Sequence, residues 1–322
     1  MSRFPSAEPV RSGGGQRRLR LPTDTRSGAV SGPLAARLVA YLYLVPMVVL
    51  VGVFLLYPAA DTVWTSLTDS TGLGSANFVG VDNYVNLIHD SAFKTSFLNT
   101  LYWVGGVLLL QVGLGLLMAL VLSSTSLGKA LKGIFYLPAT ISAAATGVIW
   151  FFVFTPDQGI LNSSLRFVGL GGLTHSWLTA DPPLNTWSMI VAFTWQGLGP
   201  TMLLFLVGLQ SIPREPIEAA LVDGATGFRL FWHVTLPLLR PMTAVVVGIS
   251  LINSFKVFDI IWAMTQGGPY RSSETLAVTM YRESFVSFHV GYGASVAVLL
   301  TLIVLVLSIF YLRAMFRRIE KY

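Results

Sequence analysis

Lys256 and Asp259 lie three residues apart in an otherwise apolar stretch. Helical spacing puts them on one face. There they would either neutralise each other or line a path for ions or solute. An ionisable group at the bilayer centre costs at least about 2.5–3.5 kcal/mol, so inside a span it points to function by default. Asn253, one turn earlier, extends the polar stripe. A second polar pair, Trp195 and Gln196, stands beside Gly197, Gly199 and Pro200. That clustering predicts a kinked or locally broken helix whose polar groups face the protein interior. Aromatic and amide groups suit a sugar ring, and helix packing on small residues explains the same stretch equally well.

The third distinctive stretch is residues 215–241, EPIEAALVDGATGFRLFWHVTLPLLRP, polar where its surroundings are apolar. Pro216 suits a first helical turn. Ile217, Ala220 and Leu221 then share a face. Gly224 and Gly227 permit a turn. Phe228, Phe231 and Trp232 repeat the helical spacing, and Pro237 is expected to end it. Such a loop is either an amphipathic connector on the membrane surface or a docking element. In the second case small side chains admit a partner's backbone and exposed acids fix the register.

Other chemistries find no support. There is no cysteine, so disulfides and thiol catalysis are excluded. His89, His175, His233 and His289 show no metal-ligand spacing. Neither a phosphate-cradling GxxxxGK[ST] loop nor a GxSxG nucleophile elbow occurs. No metal site, bound cofactor or catalytic residue is expected in this chain. Its net charge of +6 is dispersed between apolar segments, which argues against nucleic acid.

The elements that must position these residues are membrane spans. Hydrophobic residues make up 53% of the chain and charged ones 11%, against about 25% charged in soluble proteins. Mean hydropathy is +0.67. Six apolar segments approach or exceed the ~20 residues a helix needs to cross lipid. They run over residues 39–57, 97–122, 134–154, 186–209, 243–264 and 292–312. Only helices satisfy the backbone there without assistance, so the expected class is an all-α membrane protein with six transmembrane helices. The preceding residues 1–37 carry seven arginines against Glu8 and Asp24 and read as a disordered tail. Residues 317–322 form a second short tail.

Basic residues set the orientation. With the N-terminus in the cytoplasm, the inside receives the tail arginines, Lys129, Lys132, Arg214, Arg229, Arg240, Arg313, Arg317, Arg318 and Lys321, which is 16 of the 21. Lys94, Arg166, Arg271 and Arg282 remain outside. Both termini and the 215–241 loop are therefore expected in the cytoplasm. Trp64, Trp103, Trp150, Trp177 and Trp187 fall near span ends, where amphipathic rings are favoured. The outside connections are too short for a soluble domain. One of them has Tyr84, Leu87 and Ile88 at helical spacing after Asp82.

The loop residues Glu218, Ala219, Ala220, Asp223, Gly224, Ala225, Leu236 and Pro237 resemble the EAA motif of permease subunits in binding-protein-dependent ABC importers. The upstream GLQSIP, residues 208–213, fits the same pattern. A second block, FKVFDIIWAMTQGGPYRSSET, resembles the carbohydrate-uptake branch, as do NTL at 99–101, YLP at 136–138 and GYGAS at 291–295. The likeness covers residues 38–316 and is greatest to the first permease of maltose-type and glycerol-phosphate-type systems.

The resemblance implies a six-span permease domain of the type I ABC importer fold, with residues 213–240 as its cytoplasmic coupling loop. It implies a second homologous permease and two ATP-binding cassette subunits that hold ATP and magnesium. It also implies an extracytoplasmic solute-binding protein, a sugar substrate and residence in a bacterial cytoplasmic membrane. Glu218 would face the ATPase, with Ala219, Ala220 and Gly224 permitting close contact. Trp195, Gln196, Asn253, Lys256 and Asp259 are the candidate solute-pathway residues, chosen on polarity at depth. The main alternative is a self-sufficient secondary transporter or channel that uses Lys256 and Asp259. A membrane-embedded enzyme lacks a catalytic set.

Overall fold

The computed structural model describes residues 33–123 and 128–319. Among them there is helix and loop but no strand, only an isolated bridge between Thr68 and Phe78. Most of the tail expected over residues 1–37 lies outside the described residues. Its last five residues already belong to a helix, α1 (Pro33–Val51).

The chain divides into two units, Met1–Tyr57 and Pro58–Tyr322. In the first, α1 passes into a π-helical turn, Gly52–Leu56, and its side chains from Tyr41 onward are largely exposed. Apolar side chains exposed along a whole helix are suited to lipid rather than water.

The second unit opens with α2 (Tyr57–Thr65) and the amphipathic α3 (Asp82–His89). Leu87 is buried on α3 and Tyr84 packs beside it, whereas Ile88, expected on the same face, is exposed. Next come α4 (Ser91–Gly106), a π-helical segment Val107–Val112 and α5 (Gly113–Ser123), which together form one apolar stretch. Then α6 (Gly128–Tyr136) leads through a 3-10 turn into α7 (Ala143–Phe154), followed by the short α8 (Ile160–Phe167). The longest inner helix is α9 (Leu184–Gln210).

Beyond it, α10 (Arg214–Val222), α11 (Gly227–Leu230), a π-helical turn Phe231–Thr235 and α12 (Leu236–Leu238) build the polar loop. They are followed by α13 (Arg240–Phe255), α14 (Asp259–Met264), α15 (Leu276–Tyr281), a π-helical turn Arg282–Val286 and α16 (Val290–Ile319).

Four stretches are long and apolar enough to span: Tyr41–Thr65, Ser91–Ser123, Leu184–Gln210 and Val290–Arg313. Two bent pairs raise the number to as many as six. The third expected span, 134–154, is not straight: Leu131–Thr140 and Ala143–Phe154 meet at 102°. Pro138 and the N-cap Ser142, whose side chain accepts from the amide of Ala145 (3.2 Å), account for the break. The fifth, 243–264, is also interrupted. α13 ends at Phe255, and Lys256 to Phe258 leave helical geometry before α14 begins.

α9 is the post about which the second unit is packed. Its Met189, Ile190 and Ala192 join Trp103, Val107, Phe154, Ile260, Ile261 and Val278 in one buried cluster. Its Met202, Phe205 and Leu206 join Val112, Ala119, Leu122, Leu239 and Val246 in another. Between the clusters small residues bring backbones together. A Cβ on Gly199 would lie 2.4 Å from the Phe135 carbonyl oxygen and 2.7 Å from the Tyr136 Cα. Lipid is as apolar as leucine, so such close packing is what holds helices together in a membrane. No break occurs at Gly197–Pro200, because α9 runs through it uninterrupted, and Gly197 and Gly199 serve close contact. Trp103 is likewise not an interfacial ring. It is fully buried, edge-on to Phe193 at 5.4 Å.

Candidate functional site

The loop between α9 and α13 departs furthest from the packed interior. α10 turns Ile217 and Ala220 partly inward and leaves Glu218, Ala219, Asp223 and Gly224 exposed. It ends in a hydrogen-bonded Schellman turn: the Ala225 amide donates to the Ala220 carbonyl (2.9 Å) and the Gly224 amide to that of Leu221 (3.0 Å). Gly224 occupies the left-handed region at φ 79°, and a Cβ there would meet nothing within 4 Å. Glycine is therefore required here by backbone conformation, not by crowding within this chain.

Pro237 lies one residue before the end of the helical run Gly227–Leu238, and the chain then bends by 72° into Arg240–Phe255. Leu239, 1% exposed, anchors this bend in the second cluster. Ala225, Leu236 and Pro237 are half-buried. Around the exposed acids lies uncovered apolar surface: Leu221, Val222, Phe228 and Trp232. Phe228 stacks on Trp232 at 5.9 Å, which stiffens that surface. An apolar patch rimmed by acids on a short rigid helix is suited to receiving another macromolecule.

The expected solute-pathway residues fall into two sets. Trp195 stands edge-on to Trp150 at 5.9 Å, and the Gln196 side-chain amide donates to the Ile141 carbonyl at 2.6 Å. Ile141 lies in the bend before α7, so Gln196 satisfies a carbonyl that the broken helix leaves open. Asn253, Lys256 and Asp259 are all exposed. They do not share a helix face, because the helix breaks between them. No ion pair joins Lys256 to Asp259 among the described residues. The break is held from outside: the Thr275 hydroxyl donates to the Val257 carbonyl (3.1 Å), and Phe258 stacks with Trp262 at 5.6 Å.

A buried charge centre that no local sequence pattern marks follows α14. Glu274 is completely buried. It pairs with Arg271 (3.0 Å) and with Arg282, and it accepts from the Thr279 hydroxyl (2.8 Å). Arg271 also pairs with Glu283 (2.8 Å), which holds His289 at 3.1 Å. Burial disfavours the Arg271 cation, but its pairing with Glu274 and Glu283 outweighs this and holds the guanidinium above its ordinary range.

This centre fixes a contorted loop. Gln266, Gly267, Tyr270 and Arg271 all have positive φ, and a Cβ on Gly267 would strike the Glu274 side chain at 2.4 Å. From α4, the Asn99 amide donates to the carbonyls of Ser272 (2.7 Å) and Glu274 (2.9 Å), and Thr100 accepts from the Leu276 amide (3.0 Å). The NTL and GGP blocks are thus two halves of one structure. GYGAS belongs beside them. A Cβ on Gly291 would lie 2.0 Å from the Thr68 carbonyl oxygen, and the Tyr292 hydroxyl donates to Asp90 at 2.5 Å.

Comparison with known proteins agrees with this geometry. Residues 111–321 match the family described as binding-protein-dependent transport system inner membrane component. A probable ABC transporter permease of Pyrococcus horikoshii is 36% identical over 276 residues, 84% of this chain and 93% of that protein. An sn-glycerol-3-phosphate transport system permease of Agrobacterium fabrum is 31% identical over 291 residues, 88% and 97% of the two chains. A chain of a bacterial alginate ABC transporter, crystallised with an alginate pentasaccharide-bound periplasmic protein, superposes with a TM-score of 0.77 at 26% identity, covering 89% of this chain and 97% of its own. By family match, by relatives and by fold, this chain belongs to the inner membrane permeases of binding-protein-dependent ABC transporters.

Proposed function

We propose that the chain is half of the translocation pathway of an ATP-driven importer for a carbohydrate or a glycerol-phosphate-type solute. The observation that carries this reading is the exposed α10–α11 loop: Glu218 and Asp223 stand beside an uncovered apolar surface at the end of the central helix. That surface receives a cytoplasmic ATPase, which supplies ATP and magnesium. A second, homologous permease completes the pathway and a second ATPase serves it. An extracytoplasmic binding protein delivers solute from the side of the Gln266–Glu274 loop. Six spans in a bacterial cytoplasmic membrane, with both termini inside, fit the distribution of basic residues. The relatives named for sn-glycerol 3-phosphate and alginate support the solute class.

Solute passes along the surface around the α13–α14 break, where Asn253, Lys256 and Asp259 are exposed, with Trp195 and Gln196 holding the neighbouring bend. Transport alternates between two states, and ATP and the loaded binding protein each shift the balance by what they bind better. The self-sufficient carrier loses its main support, since Lys256 and Asp259 share no helix face.

Gentle affinity purification of the tagged chain from its native membranes, followed by mass spectrometry, tests the assembly. Recovery of a second permease and a P-loop ATPase is expected. Repeated recovery of this chain alone in several detergents would overturn the reading.

A further inference from the structure

Between α7 and α9 the short helix α8 carries an apolar surface that no described residue covers. One face holds it down. Leu161 packs on the first buried cluster. Asn162, 2% exposed, donates to the carbonyls of Pro156 and His175 (both 2.8 Å) and accepts from the Trp177 indole (2.7 Å). The opposite face presents Ile160 and Phe167, seven residues apart and so nearly in line on a helix. Phe167 is 92% exposed, and the turn that follows adds exposed Val168, Leu170 and Leu173. Arg166 is the only charge from Ile160 to Leu173. In water so many large apolar groups within so short a segment would be costly.

The height of α8 is fixed on both sides. Only five residues separate it from Phe154, the last residue of α7. Fully extended they reach at most about 16–18 Å. Trp177, bonded to Asn162, packs against Phe154 at 6.3 Å, so α8 lies level with the end of that membrane segment. Trp177 is itself the kind of ring that marks a lipid–water boundary.

We propose that Ile160–Leu173 is an interfacial membrane anchor, with Ile160, Phe167, Leu170 and Leu173 seated in the bilayer boundary and the exposed Arg166, whose guanidinium donates to the Asp157 carbonyl, at its polar edge. The occupant of the exposed face is lipid. A short helix with one apolar face inserts about 5–10 Å into that boundary. Through Leu161, Asn162 and Trp177 the anchor holds the end of α7 at a fixed depth.

The chain has no cysteine, so single-cysteine spin labelling needs no prior substitution. Nitroxides at Ile160→Cys, Phe167→Cys and Leu170→Cys are examined in nanodiscs by collision with oxygen and with a water-soluble nickel chelate. Leu109→Cys, exposed on a spanning stretch, is the lipid reference, and Ser75→Cys, exposed in a loop, is the water reference. All replaced side chains are exposed, so folding is not at stake. The anchor predicts nickel accessibility several-fold below Ser75→Cys and an oxygen-to-nickel ratio near that of Leu109→Cys. Labels as open to nickel as Ser75→Cys would overturn it. So would protection that appears only when a partner protein is added, which would make this a protein interface.

Discussion

Glu274→Gln keeps the shape of the side chain and removes its charge. In the native chain the carboxylate accepts from Arg271, Arg282 and Thr279 with no exposure to solvent. A glutamine amide has one oxygen to offer, and its NH2 group must face a guanidinium that can only donate. Breaking a buried pair from one side costs about 3–5 kcal/mol when the abandoned charge is fully buried. Here the Arg271 and Arg282 side chains are 33% and 24% exposed, and Arg271 keeps Glu283. The expected loss is therefore about 2–3 kcal/mol, at or below the lower end of that range. For a domain of this size about 2–4 °C of melting temperature accompanies each kcal/mol, which gives a drop of roughly 4–12 °C. Intrinsic tryptophan fluorescence during heating in nanodiscs reads it directly. Glu274→Gln combined with Arg282→Met removes the abandoned charge as well and should recover about 1 kcal/mol or more of the loss. A drop for Glu274→Gln no larger than that of the exposed Glu215→Gln would refute the reasoning.

Four further outcomes follow from the same structure. Gly199→Ala forces a methyl against the Phe135 and Tyr136 backbone and should destabilise by about 1–3 kcal/mol in the same melt. Gly113→Ala, with open space around it, should be neutral or slightly stabilising. Gly224→Ala should strain the end of α10 by about 1–2 kcal/mol, while Gly224→Asn, which tolerates the left-handed region, should lose much less; amide exchange at Ala225 distinguishes them. Asp69 accepts from the side chain and the backbone amide of Asn77, and these bonds hold its carboxyl below the usual range. Such a group stabilises fully above its unfolded pKa of about 3.9 and loses that contribution as pH falls through the lowered folded value. Protection of the Asn77 amide should therefore be flat from pH 7 to about pH 5 and fail only below about pH 4.

Much of this architecture is written in local sequence. Apolar runs mark the spanning stretches, and the Asp223–Gly224 pair marks the end of α10 through a conformation only glycine enters freely. Pro138 lies near the start of the third apolar run, so the 102° bend was legible by the ordinary rule that proline breaks a helix. The break at Lys256–Phe258 was not. No glycine or proline lies between Gly248 and Gly267, and the interruption depends on Thr275 and on aromatic stacking with Trp262 and Tyr281. Helical spacing therefore paired Lys256 with Asp259 wrongly. Glu274 was missed for a related reason. A glutamate in a polar loop reads as solvated, and the loop that buries it is held by Asn99 and Thr100, some 175 residues earlier. The glycines at 197 and 199 were visible, but sequence alone does not separate a flexible joint from a close contact.

In the proposed assembly the α10–α11 loop couples this permease to ATP hydrolysis on a partner. Ala219 is exposed and small, so Ala219→Trp should leave folding and membrane insertion intact while blocking a partner's approach. Uptake of labelled oligosaccharides and of sn-glycerol 3-phosphate is measured in native cells that carry either form, alongside membrane content of the chain. Uptake is expected to depend on ATP in the wild type and to be abolished by Ala219→Trp at unchanged membrane content. Undiminished uptake in the Ala219→Trp cells would contradict that coupling.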